Sequence, residues 1–265
     1  MRALELITGF VTGVGTTLTA LTMASGNTLT IRNGAPDAKI ELIQLWVDSQ
    51  GSDIGRIRSP QMHDNVQGFR FRHVSGEVDP LLPAGFTQPL KPQDTLVAEL
   101  AGSATGGDIE HMCMLIHYDD LPGINGRFLS PEDVKGRLQH LLTVENTLST
   151  GTAGGYSGEE AINAEFDLLK ANTDYAILGY HVSLECACVR YRGIDFGNLG
   201  VGGPGNETDK VTTGRWFEHL SRMVGAPLIP VFNAANAAGV LIDCAQDEDG
   251  GDPIVTTILA ELSSA

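Results

Sequence analysis

"AKIELIQLWVDSQGSDIG", residues 38–55, is a mostly apolar run that ends in a glycine-flanked aspartate, and the chain contains a second version of it. The second version is "GYHVSLECACVRYRGIDFG", residues 179–197. Both runs are rich in residues that favour strands, and both end in the pattern Gly-x-Asp-x-Gly, at residues 51–55 and 193–197. We interpret the two stretches as the same part of a β-rich unit that occurs twice.

Two more matches follow in the same order along the chain. "PLLP" at residues 80–83 corresponds to "PLIP" at residues 227–230. "TLVAELAGSATGGDIEHMCMLI", residues 95–116, corresponds to "GVLIDCAQDEDGGDPIVTTILA", residues 239–260. The matched stretches are about 145 residues apart, which is longer than the period of a solenoid repeat, so each copy should be a domain. Chance similarity between glycine-rich strands is the alternative.

The third match contains a Gly-Gly-Asp turn in both copies, at residues 106–108 and 250–252. Glycine supplies the positive φ that a tight turn between antiparallel strands needs, so the shared feature is the turn itself. The second copy adds acidic residues around the turn, and calcium binding by Asp247, Asp249 and Asp252 is the alternative interpretation. Their spacing does not match the calcium-binding loop of an EF-hand.

These matches predict an all-β fold with two tandem β-sandwich domains, jelly-roll-like in their strand spacing, and a short connecting helix. The predicted segments are an N-terminal arm at 1–27, a first domain at 28–120, a connector at 121–163 and a second domain at 164–265. The N-terminal stretch has an early acidic residue and an apolar region interrupted by Gly and Thr. These features favour an arm or a strand over a signal peptide.

The connector contains the predicted helix, "SPEDVKGRLQHLL" at residues 130–142. Ser130 suits the N-cap, Pro131 suits the first helical position, and acidic residues follow in the first turn. Three leucines would then give the helix an apolar stripe: Leu138, Leu141 and Leu142. "STGTAGGYSGEE" at residues 149–160 is the predicted flexible linker.

Composition narrows the class of protein. Apolar residues make up 42% of the chain, which is enough for a packed core. The formal net charge of -16 argues against a wide surface for nucleic-acid phosphates. Much of the basic charge lies in "RIRSPQMHDNVQGFRFR", residues 56–72, where Phe69 and Phe71 alternate with Arg70 and Arg72. We interpret this alternation as a half-buried strand with a solvated face, and a surface for acidic neighbours is the alternative.

The sequence offers few candidates for chemistry. Four cysteines lie in apolar runs and are predicted to be buried thiols: Cys113, Cys186, Cys188 and Cys244. His111 and His117 share one face of a strand with Cys113, but the second copy has Val255 and Thr257 where the first has His111 and Cys113. This difference favours buried or edge histidines over a metal site.

Other short motifs are also interpreted as structural. The pair His63–Asp64 is interpreted as a surface pair, and Asn206 as an unused match to a glycosylation acceptor. No P-loop occurs, and the glycine-containing stretch "ITGFVTGVG", residues 7–15, contains no G-x-G-x-x-G motif. We therefore predict no catalytic residue, no cofactor-binding residue, no metal ligand and no enzymatic activity.

The tandem strands at 38–55 and 179–197, together with the two Gly-Gly-Asp turns, resemble those of the double jelly-roll major capsid proteins of tailless icosahedral viruses, the adenovirus hexon lineage. The resemblance covers about residues 28–262. It implies two eight-stranded jelly rolls per chain, three chains per pseudo-hexagonal capsomer, and a place in the virion shell. The implied partners are copies of the chain itself, minor capsid proteins and an internal membrane, without sequence-specific binding of nucleic acid. The family has no catalytic residues to transfer.

Two other classes of protein remain open at this point. One is a tandem β-sandwich binding module, such as a lectin, an adhesin or a tail component, for which Trp216 and Phe217 are the candidate aromatic residues. The other is a two-domain cupin-type enzyme, which requires a cluster of histidines and carboxylates within a repeat. No such cluster is evident in the sequence.

Overall fold

The computed structural model describes residues 1–62, 64–78, 80–83, 85–149, 151, 154–165, 168–246 and 251–264. Strands account for 43% of the residues and helices for 10%, and the sheets are antiparallel. The predicted all-β class is therefore confirmed.

The first half of the chain forms two sheets. In chain order its strands are β1 (Ala3–Thr12), β2 (Thr19–Ala20), β3 (Thr22–Met23), β4 (Ile40–Asp48), β5 (Ile54–Arg58), β6 (Phe69–Arg72), β7 (Gln88–Pro89), β8 (Val97–Leu100) and β9 (Ile109–Tyr118). Sheet 1 has the order β2-β8-β5-β6, and sheet 2 has the order β3-β1-β9-β4-β7.

The second half also forms two sheets and contains the helices. Its elements are β10 (Phe128–Leu129), α1 (Pro131–Arg137), β11 (Leu138–Thr147), β12 (Glu160–Ala161), β13 (Asp174–Val182), β14 (Cys186–Arg192), β15 (Val201–Gly205), α2 (Lys210–Thr213), α3 (Trp216–Val224), β16 (Ile229–Asn233), a 3-10 helix (Ala234–Gly239), β17 (Leu241–Ala245) and β18 (Ile254–Leu262). Sheet 3 has the order β12-β17-β14-β15, and sheet 4 has the order β10-β16-β13-β18-β11. None of the described helices is long and apolar enough to cross a membrane.

The two halves share one strand order. When β3 and β10 are set aside as additions at sheet edges, each half has eight strands. In both halves one sheet contains the first, eighth, third and sixth of these strands, in that spatial order. The other sheet contains the second, seventh, fourth and fifth. The two halves therefore repeat one topology.

Two of the three sequence matches have different outcomes in the structure. The Gly-Gly-Asp sites correspond, because residues 106–108 lie between β8 and β9, and residues 251–252, the described part of the second site, lie between β17 and β18. Gly107 and Gly251 both have positive φ, 103° and 66°. The Gly-x-Asp-x-Gly match is wrong by one strand, since residues 51–55 lead into β5 whereas residues 193–197 follow β14. Glycine-flanked loops occur at many strand ends, so this pattern does not identify a particular loop.

The structure adds detail to two of the predicted segments. Within residues 1–27, β1 pairs with β9 along its whole length, from Ala3 opposite Tyr118 to Thr12 opposite Ile109, which agrees with the strand alternative for this stretch. The predicted helix ends at Arg137, and the leucines assigned to its stripe lie in β11, which pairs with β18. Leucine and glutamine favour helices, but helix propensity is a small preference, and pairing with a long neighbouring strand outweighs it here.

The N-terminal end of that helix is as predicted. The Ser130 side chain accepts a hydrogen bond from the Asp133 backbone N–H at 3.1 Å, and Pro131 is the first helical residue. The Asp133 side chain accepts in turn from the backbone N–H of Ser130, which completes a capping box.

The four sheets stack in the order 1, 2, 3, 4. One face of sheet 2 packs on sheet 1 in a cluster that includes Ile7, Met114 and Ile57. Its other face packs on sheet 3, where Trp46 Nε1 donates to the Ala187 carbonyl at 2.7 Å. Sheets 3 and 4 enclose the second core. Both inner sheets are therefore buried on both faces, and the two halves share a continuous apolar contact.

Candidate functional site

The predicted histidine–cysteine face of β9 lies at the contact between the two halves. His111, Cys113 and His117 occupy alternate positions on β9, and all three are buried. The Thr8 hydroxyl lies 3.6 Å from the Cys113 sulfur and 3.5 Å from the Cys188 sulfur of the opposite half. The face therefore belongs to the packing between sheets 2 and 3. All four cysteines are free and buried, as predicted.

Burial keeps both histidines of this face neutral. Desolvation lowers the pKa of His111 to about 4, and the backbone of Gly154 offsets only part of that shift. The His111 ring packs on Phe10 with 6.0 Å between ring centroids. Burial also lowers the pKa of His117, although the charges of Asp119 and Glu41 oppose the shift. Within the described ranges, no group of three or more His, Cys, Asp or Glu side chains is arranged to hold a metal ion.

A buried ion pair lies beside Cys188 on the side of sheet 3 that faces sheet 2. Arg190 donates to both carboxylate oxygens of Asp243, at 2.8 and 2.5 Å, and its guanidinium carbon lies 3.4 Å from the centre of the Tyr156 ring. Burial alone would lower the pKa of Arg190, but the hydrogen bonds to Asp243 raise it above its ordinary value. The Tyr156 hydroxyl accepts from the Asn27 amide of the first half at 3.2 Å. This cluster fastens the two halves together and presents no exposed reactive group.

The aromatic residues proposed for a binding module are part of the core. Trp216 and Phe217, at the start of α3, are fully buried. Trp216 Nε1 donates to the Gly202 carbonyl at 2.9 Å, and its ring meets Trp46 edge-on at 5.9 Å. Phe217 packs against Tyr191. Neither ring is placed to stack on a ligand at the surface.

The remaining short motifs have structural roles or lie outside the described part of the chain. Asp247 and Asp249 of the proposed calcium loop lie outside it, as does His63. Asp64 accepts from the backbone of Val66 and Gln67, at 2.7 and 3.1 Å, and so stabilises a turn. Asn206 is buried and caps the turn before α2 by accepting from the Thr208 backbone N–H at 2.8 Å. Its side chain is therefore engaged within the fold.

The basic segment contributes arginines to the outer face of sheet 1, where Arg56 and Arg58 are half-buried. The alternation is as predicted: Phe69 and Phe71 are half-buried, and Arg70 and Arg72 are exposed. Cross-strand pairing brings two further arginines of β5 to the same face, because Arg56 lies opposite Arg70. We call Arg56, Arg58, Arg70 and Arg72 the arginine face. The sequence indicates the basic segment but not this convergence, which depends on the register of β5 and β6.

Glu99 is the acidic residue of this face. It lies on β8 opposite Arg56, whose guanidinium is 2.7 Å away, and Arg58 Nε is 3.0 Å away. Burial would raise the pKa of Glu99, but hydrogen bonds from Arg58 and Arg56 lower it below its ordinary value. Two of the four arginines are thus already paired within the chain.

A second exposed feature is the long edge strand β11. Among the described strands it pairs only with β18, and most of its side chains are exposed, including Leu141 at 62%. The other sheet edges are short or protected: β2, β3, β7, β10 and β12 have two residues each, β6 carries arginines, and β15 contains a proline. The Leu, Thr and Val residues of β11 are typical of a strand, but the strong helix start just before them led to a helix prediction.

Comparisons with known proteins give no family for this chain. No protein-family model matches it, and no curated protein matches it significantly. Any functional conclusion therefore rests on the fold and the surfaces described above.

Proposed function

We propose that this chain is a structural protein: a double jelly-roll major capsid protein that forms trimeric, pseudo-hexagonal capsomers of an icosahedral viral shell. The observation that supports the proposal is the repeated strand order. Two four-stranded sheets, one with the first, eighth, third and sixth strands and the other with the second, seventh, fourth and fifth, are typical of a jelly roll. Its occurrence twice in a chain of 265 residues is typical of that capsid lineage.

The packing of the two halves is consistent with a rigid building block. Sheets 2 and 3 are each buried on both faces, and Trp46, Thr8 and Leu6 connect the halves through hydrogen bonds to Ala187, Cys188 and Gly200. A shell subunit needs two domains held at a fixed angle, because each contact with a neighbour depends on that angle. The proposed partners are other copies of the chain, minor capsid proteins and an internal membrane.

The edge strand β11 supports self-association. A long edge with unpaired backbone groups is a template for another chain, and soluble proteins usually shorten, charge or cover such edges. β11 has ten residues, and Glu145 is its one acidic or basic residue apart from His140. Contact with a neighbouring subunit would cover this edge and the exposed Leu138 and Leu141.

Electron microscopy of the purified protein at increasing concentration tests the proposal. We expect particles with a three-fold axis and a pseudo-hexagonal outline, and larger shells or sheets at high concentration. Leu141→Lys on β11 should reduce the fraction of particles, whereas Val211→Lys, at a similarly exposed apolar position on α2, is the matched control. Isolated monomers that bind glycans would support the binding module instead.

A further inference from the structure

The arginine face has a charge that is opposite to that of the chain as a whole. The chain carries a formal net charge of -16, yet the outer face of sheet 1 carries four arginines and one glutamate. Such a face is a candidate for contact with a negatively charged surface.

The geometry leaves half of this charge without an acidic partner. Arg56 and Arg58 bind Glu99. In the ranges that the structure describes, Arg70 and Arg72 form no ion pair, and Arg70 Nε reaches only the Gln67 carbonyl at 3.4 Å. Arg70 also lies directly opposite Arg56 in the antiparallel ladder. Like charges in directly opposed positions destabilise a sheet, so the isolated chain keeps this arrangement at a cost in stability.

We propose that the arginine face binds an acidic surface of a second copy of this chain, formed by Glu145, Glu160 and Glu165. The inference rests on the proposed function, because it assigns one contact of the proposed assembly. Arginine suits this role, since its planar guanidinium makes two parallel hydrogen bonds to a carboxylate.

The three glutamates gather around the C-terminal end of β11. The Asn146 amide donates to Glu160 at 3.3 Å, the Thr147 backbone N–H donates to Glu165, and the Thr256 hydroxyl donates to Glu145 at 3.3 Å. None of the three forms an ion pair with a described residue of its own chain. Hydrogen bonds from neutral donors orient these carboxylates but leave their charge uncompensated.

The two surfaces lie on different outer parts of the sheet stack. The arginine face is on sheet 1, whereas Glu145 is on β11 of sheet 4, at the opposite end of the stack, and Glu160 is on β12, an edge strand of sheet 3. A contact between them is therefore heterologous: each copy uses one surface toward one neighbour and the other surface toward the next. Heterologous contacts that close generate rings, as a trimeric capsomer requires.

Charge reversal on both sides tests this contact in the full-length protein. The first variant is Arg70→Glu with Arg72→Glu, and the second is Glu145→Lys with Glu165→Lys. The control is Lys39→Glu with Lys91→Glu, which changes the net charge as much as the first variant, at exposed positions outside the arginine face. Association is measured by sedimentation, and the melting temperature verifies that each variant is folded.

We expect each of the first two variants to associate at least about tenfold more weakly than the wild type, because like charges would face each other across the contact. Mixing the two variants should restore association in part, since two of the three contacts in a mixed trimer are again complementary. The control should associate as the wild type does.

Two results would overturn the inference while leaving the proposed function intact. One is a folded arginine variant that associates as the wild type does. The other is arginine-dependent binding of a DNA duplex probe with unchanged association, which would assign the face to nucleic acid. A wild-type protein that stays monomeric at all concentrations would instead refute the proposed function itself.

Discussion

Arg190 on β14 and Asp243 on β17 form an ion pair that is almost completely buried. The exposed fraction is 6% for Arg190 and 1% for Asp243. Removal of one partner from a buried pair leaves an uncompensated charge, which costs about 3–5 kcal/mol. We therefore expect Asp243→Ala to lower the free energy of unfolding by about 3 kcal/mol in urea titrations. The double variant Arg190→Met, Asp243→Leu should recover much of that loss. A loss below about 1 kcal/mol in the single variant would show that the pair is not sealed from water.

His111 should make the fold sensitive to acid. Its pKa is about 4 in the folded protein and 6.5 ordinarily, so the unfolded chain binds more protons between these values. Stability therefore falls as the pH decreases from about 6.5 to 4, by up to about 3 kcal/mol from this residue. His111→Leu should remove that contribution. When the pH is lowered from 7.5 to 4.5, the free energy of unfolding of the variant should therefore rise by about 2–3 kcal/mol relative to that of the wild type.

The measurement is chemical denaturation of both proteins at each pH. Parallel curves for the wild type and His111→Leu would contradict the buried, neutral state of His111.

The turn between β8 and β9 isolates the effect of backbone conformation. Gly107 has a φ of 103°, whereas Gly106 is outside the positive-φ region, and a Cβ at either position would meet no atom within 4 Å. Gly107→Ala should lower the free energy of unfolding by about 1 kcal/mol or more, because a side chain is strained at that φ. Gly106→Ala should have little effect. The stability of both variants is measured by thermal or urea denaturation. Equal losses of stability in Gly107→Ala and Gly106→Ala would mean that steric crowding, and not the φ angle, requires glycine at position 107.

The equivalent turn in the second half permits a test of the calcium hypothesis. Gly251 has a φ of 66°, so Gly251→Val should lower the free energy of unfolding at least as much as Gly107→Ala does. Calorimetry with and without calcium should give the same melting temperature if the turn alone matters. A large rise with calcium would favour ion binding by the acidic residues next to Gly251.

At the scale of elements, the sequence predicted what local chemistry determines. The β class, the capped start of α1 at Ser130, the alternation at Phe69–Arg72 and the positive φ at Gly107 all follow from local residue properties. The sequence was misleading where distant pairing decides: the first part of β11, residues 138–142, was assigned to the helix, because its partner β18 lies more than a hundred residues away. The arginine face was hidden for the same reason, since register is a non-local property.

The contact between sheets 2 and 3 predicts that the halves depend on each other. Residues 1–120 alone would expose one whole face of sheet 2, including Leu4, Leu6, Trp46 and Leu115, all of which are buried in the full chain. An exposed apolar patch of that kind promotes aggregation. We expect this fragment to lack a cooperative unfolding transition, and co-expression with residues 121–265 to restore a soluble complex. A cooperatively folded, monomeric fragment would show that the first half is stable without sheet 3 packed on sheet 2.

At the scale of the whole molecule, burial and charge are consistent with the proposed assembly. The interior contact fixes the halves, most side chains of β11 are exposed, and the arginine face and the glutamates near β11 carry opposite charges. The net charge of -16 keeps copies apart unless complementary patches meet, so association should be specific in orientation. Each chain is therefore expected to contact two neighbouring copies, one through the arginine face and one through the glutamates near β11.

The native mass of the full-length protein across a range of salt and pH tests the central claim most directly. The chain has a mass of 28.2 kDa, so a closed trimer would weigh about 85 kDa. We predict a dominant trimer that is in equilibrium with larger assemblies at high concentration. A strictly monomeric 28.2 kDa species under every condition, including in its native source, would contradict the account.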